Sequence, residues 1–77
     1  TPPVDVFEEA DHLLVLAEVP GVGPADVAVS VTGATLTLTA ENARKKYRAE
    51  VPLPFAPAAD AVSHTCTNGV LEVRVGR

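Results

Sequence analysis

The sequence has no methionine and no isoleucine, a single cysteine, Cys66, and only three aromatic side chains, Phe7, Tyr47 and Phe55. Each shortage excludes something. One cysteine cannot build an internal disulfide framework, which fits a reducing cytoplasm as the expected location. A formal net charge of -4, with no long basic run, leaves no electrostatic footprint for nucleic acid or for an anionic membrane surface. No stretch is apolar enough to cross a bilayer, and no signal-peptide pattern stands at the start. The chain opens at Thr1 without methionine, so its 77 residues are expected to be one domain, residues 1–77, excerpted from a longer protein. Alanine supplies much of the 47% hydrophobic content, which limits the core to a modest one.

What is present points to extended chain. Valine dominates the remaining apolar residues, and seven prolines and five glycines punctuate a short sequence. Residues 4–7 form a first extended piece, entered through Pro2-Pro3, which suit a sheet edge because they donate nothing to a ladder. In residues 13–19, Leu13, Val15, Ala17 and Val19 share one face while Leu14 and Leu16 occupy the other, so both faces are at least partly covered. Residues 20–26, "PGVGPAD", tolerate no regular element and form a loop. Two alternating runs follow, Val27, Val29, Val31 and Leu36, Leu38, Ala40, joined by Thr32-Gly33-Ala34 as a hairpin. Tyr47, Ala49, Val51 and Leu53 alternate again, with Pro52 marking an edge or a strand end, and Phe55 is placed to plug the core. Residues 61–67 are extended, and Asn68-Gly69 makes the tight turn into Leu71, Val73 and Val75. Seven short strands at roughly ten-residue spacing, with no helix, predict an antiparallel β-sandwich. Its last strand is expected inside a sheet, between residues 61–67 and residues 13–19.

No catalytic reading survives. Cys66 and His64 share a strand face, but no third group supports a thiolate and imidazole pair, and a lone cysteine among valines reads as core packing. Two histidines and one cysteine match no zinc spacing, and His12 reads as a solvated turn residue. Glu8, Glu9 and Asp11 read as a solvated acidic turn, and the glycines of residues 20–24 lack the spacing and the following helix of a phosphate cradle. The only basic cluster, "RKKYR" at residues 44–48, reads as a solubilising hairpin loop. No cofactor, no metal and no enzyme activity is expected.

Three segments, in order, carry a resemblance. "PPVDVFEEADHLLVLAEVPGV", "ADVAVSVTGATLTLTAE" and "TNGVLEVRV" together resemble the signature of the small heat-shock protein family, the α-crystallin (Hsp20) domain, over nearly the whole chain. The resemblance implies an immunoglobulin-like sandwich in a minimal form. Family members that pair by strand exchange carry a long loop with an extra strand between the segments matching Ala40 and Tyr47, whereas only residues 41–46 lie there here. Ala49 stands where the family has its interface arginine, and His64 stands where a small residue is usual. The family's disordered N-terminal arm and C-terminal Ile-x-Ile-type tail, which drive its assembly, have no counterpart among these residues.

The resemblance also implies a function. It is that of an ATP-independent stress-response chaperone, a holdase whose sheet-edge groove takes extended segments of unfolded client proteins. The groove is expected to have Val27, Val29 and Val31 on one wall and Ser63 and Thr65 on the other. An accessory interaction domain is the alternative, as in the small domains appended to arsenite-pump-type ATPases or in co-chaperones. Either way the isolated domain is expected to be a monomer or a weak dimer.

Overall fold

A computed structural model describes residues 2–77. Apolar alternation at a period of two places seven strands: β1 (Val4–Glu8), β2 (His12–Glu18), β3 (Val27–Thr32), β4 (Thr35–Glu41), β5 (Lys46–Pro52), β6 (Val62–Thr67) and β7 (Val70–Gly76). Short 3-10 turns at Pro24–Asp26 and Ala59–Ala61 lead into β3 and β6. Ala61 therefore precedes β6 rather than opening it.

The strands form two antiparallel sheets, one ordered β1-β2-β7-β6 and the other β3-β4-β5. As expected, β7 is interior. It pairs with β2 through Val15↔Val73 and with β6 through Cys66↔Leu71. The turn that delivers it needs left-handed backbone at two positions, and Asn68 (φ 53) and Gly69 (φ 77) supply it. A side chain on Gly69 would also bring a Cβ within 3.0 Å of the Pro20 Cα, where the β2–β3 loop crosses and the Val19 N–H donates to the Gly69 carbonyl at 2.7 Å.

The core lies between the sheets. Leu13, Val15 and Val19 from the β2 region, Leu36 from β4, and Leu71, Val73 and Val75 from β7 are its largest fully buried side chains. Among the described residues no polar or charged side chain is buried. Phe55 packs against this core from the β5–β6 crossing, as expected, and the Arg77 guanidinium sits 5.2 Å from its ring centroid.

Two expectations need correction. His12 is not a turn residue: it opens β2, half-buried, and its Nδ1 lies 2.7 Å from the Asp11 carboxylate. The connection after β4 is also shorter than residues 41–46, because Glu41 and Lys46 pair with each other and belong to the strands. Asn42 closes it. Its Oδ1 accepts from the N–H groups of Arg44 (2.8 Å) and Lys45 (2.9 Å), and its Nδ2 donates to the Gly21 carbonyl at 2.8 Å. The Tyr47 hydroxyl donates to the Pro20 carbonyl at 2.7 Å, tying the same loop to β5.

Candidate functional site

Four strands are sheet edges, and two of them, β3 and β6, face each other along one side of the sandwich. The hydrogen-bond ladders say what those edges leave free. The Leu53 N–H donates to the Ala34 carbonyl, so the even-numbered residues of β4 bond to β5 and its odd-numbered ones bond to β3. Thr32, Ser30 and Ala28 are thereby satisfied, and the backbone groups of Val29 and Val31 point outward from the edge; the Val27 N–H is taken by the Pro24 carbonyl. In the other sheet the Glu18 N–H donates to Pro3 and the Val19 N–H to Gly69. The same alternation then assigns Ser63, Thr65 and Thr67 to the ladder with β7, leaving the backbone groups of Val62, His64 and Cys66 free.

Those free groups open onto an apolar seam. A cavity of about 310 Å³ between the two strands is lined by Val29, Ser30 and Val31 on one side and by Ala59, Val62 and His64 on the other. Val27 lies on the same side of β3, partly buried against the core. Of the expected first wall, Val29 and Val31 line the seam and keep unpaired backbone groups, whereas the Val27 N–H donates to the Pro24 carbonyl and Val27 does not line the cavity.

The expected second wall is displaced by one residue. Ser63 and Thr65 do not face the seam. They lie on the outer surface of the four-stranded sheet beside Glu72 and Arg74. The cause is Cys66, which is buried in the core and fixes the inward side of β6 as Val62, His64 and Cys66. Strict alternation counted back from a buried cysteine would have found Val62 and His64. The signal in β6 is weak, because its residues are small or polar on both faces.

Cys66 is packed among core side chains while His64 is exposed on the same strand face. Among the described residues no cluster of histidine, cysteine and carboxylate side chains could hold a metal ion. No helix is long and apolar enough to cross a membrane. Away from the seam, the His12 imidazole lowers the Asp11 carboxyl below its ordinary range, first through their hydrogen bond and then through its charge.

No protein-family model matches the chain. Over all 77 residues it is 25% identical to spore coat protein M of Bacillus subtilis, and it spans 59% of that protein's length. Among solved structures it is similar to heat shock protein 16.0 from Schizosaccharomyces pombe, with a TM-score of 0.86 at 26% identity over 100% of this chain and 86% of that one. HspA from Xanthomonas axonopodis gives a TM-score of 0.84 at 25% identity, over 99% of this chain and 92% of that one.

Proposed function

From the α-crystallin (Hsp20) fold of the small heat-shock proteins, which is the fold of this chain, we propose an ATP-independent holdase domain that works in the cytoplasm. It binds extended segments of unfolded clients in the seam between β3 and β6. The observation that carries this reading is the coincidence, at the same residues, of unpaired backbone groups and inward apolar side chains. An extended client strand can complete either ladder while its alternate side chains enter the space lined by Val29, Val31 and Val62. Binding of this kind slows aggregation by occupying exposed client segments, and no bond is made or broken.

The test is light scattering from a heat-unfolding client with the chain in molar excess. The wild type is expected to suppress scattering, and Val31→Lys, which puts a charge at the seam, to lose at least about half of that suppression. Scattering that the wild type leaves unchanged would count against the reading, as would a Val31→Lys protein of full potency.

A second reading is favoured by one observation. The curated relative is a coat protein of which this chain spans only 59%, consistent with an interaction module that docks the same seam on one fixed partner within an assembly. Suppression of scattering across unrelated clients favours the holdase. Binding restricted to one partner favours the module.

A further inference from the structure

The outer surfaces of the two sheets differ in chemistry. The three-stranded sheet turns Ala28, Ser30, Thr32, Thr35, Thr37 and Thr39 outward, as expected of a solvated face. In the four-stranded sheet, β2 buries Leu13, Val15 and Ala17 and so turns Leu14 and Leu16 to the outside, on an interior strand. Both are half-buried, and among the described residues β2 is flanked in its sheet by β1 and β7. The registers set out what surrounds them. One row across the sheet runs Phe7, Leu14, Arg74, and the next runs Asp5, Leu16, Glu72. Phe7 is 46% exposed. Neither Arg74 nor Glu72 enters any of the ion pairs among the described residues, which are His12–Asp11, Arg48–Glu50 and Arg77–Glu8.

We propose that this face joins two copies of the chain across a two-fold axis lying in the plane of the face and running across the strands, between the two rows. Such an axis exchanges the rows. Leu14 of one copy rests on Leu16 of the other, and Arg74 of one meets Glu72 of the other, so one patch gives two symmetry-related ion pairs beside four leucines. Phe7 meets Asp5 only at the rim, where the carboxylate keeps its water. Sheets packed face to face lie about 10 Å apart and are rotated by about 30°. The leucines and the charged pair occupy adjacent strands, about 5 Å apart, close enough to the axis to stay opposed under that rotation. Other placements fail on charge: a two-fold axis along β2 sets Glu72 against Asp5, and one along the β2–β7 boundary sets both leucines against charged side chains. The patch is small, so the dimer is weak and exchanges with monomer. The β3–β6 seam stays open in it, and its existence does not depend on what the seam binds.

Sedimentation equilibrium of the chain at low ionic strength, over a wide concentration range, tests the assignment. The wild type is expected to dimerise reversibly. Arg74→Glu and Glu72→Arg each turn two attractions into two repulsions and should weaken the dimer on the order of tenfold. The double exchange, Arg74→Glu with Glu72→Arg, restores opposed charges and should recover most of the loss, whereas Leu16→Lys should leave only monomer. The three substituted positions lie on the outer face of the sheet and spare the core. A wild type that stays monomeric throughout overturns the proposal. So do charge variants that associate like the wild type, because association would then use another surface.

Discussion

Leu71 is 1% exposed and sits where the last strand crosses the core, opposite Ala17 on β2 and Cys66 on β6. Truncating it removes buried methyl groups and leaves a cavity that neighbouring strands cannot collapse into, so Leu71→Ala should cost roughly 2–5 kcal/mol. For a domain whose total stability is of the order of 5–15 kcal/mol, that is enough to populate the unfolded state. Urea unfolding measures it, and a loss well under about 1 kcal/mol would mean β7 is not packed as described. A second residue-scale effect concerns acid. The folded-state pKa of Asp11 lies below its unfolded value because of His12, so this pair's contribution is fully present above the ordinary aspartate range and is lost as pH falls through the lowered folded value. An NMR titration of the Asp11 carboxyl should show a midpoint below that of a model peptide, moving up toward the ordinary range in His12→Ala. An identical midpoint in both proteins would contradict the assignment.

At the scale of elements, the turn between β4 and β5 decides how the hairpin and its neighbour hold together. With Glu41 and Lys46 paired, only residues 42–45 connect the strands, too few to form a further strand that could leave the body of the molecule. Asn42 satisfies two backbone donors inside this turn and one acceptor in the β2–β3 loop. Asn42→Ala should therefore cost roughly 1–2 kcal/mol, read as a lowered thermal midpoint. Aspartate at the same position keeps the Oδ1 acceptor but not the Nδ2 donor, so Asn42→Asp should retain part of the stability. Equal stability of all three proteins would show the turn to be held by its strands alone. The sequence reads this connection as charged and short, but it does not reveal the tie to Gly21, which depends on a loop twenty-one positions earlier in the chain.

For the whole molecule, the sandwich separates what stabilises it from what it offers to others. Core positions such as Leu71 lie between the sheets, whereas Val31 and Leu16 lie at a seam and on an outer face. Substitutions at those two places should accordingly alter client capture and self-association respectively; the unfolding midpoint should stay close to that of the wild type for Leu16→Lys and fall for Val31→Lys, because Val31 also packs against the core. The seam is also where the sequence was least legible. Its first wall follows from the valine alternation of residues 27–31. Its second wall required the parity of β6, where Val62, Ser63, His64, Thr65 and Cys66 offer no clear contrast between inside and outside until Cys66 is known to be buried.

The sequence by itself determined the strands, the Asn68-Gly69 turn and the antiparallel two-layer architecture. Alternation at a period of two and left-handed turn residues act over a few neighbouring positions, so they are written locally. Only the tertiary structure decided that β3 and β6 end their sheets facing one another, that Val62 and His64 rather than Ser63 and Thr65 line the gap, and that Leu14 and Leu16 stand half-exposed on an outer face. Those outcomes depend on how many strands each sheet recruits and how the two sheets stack, a balance of burial over the whole chain that no local pattern encodes.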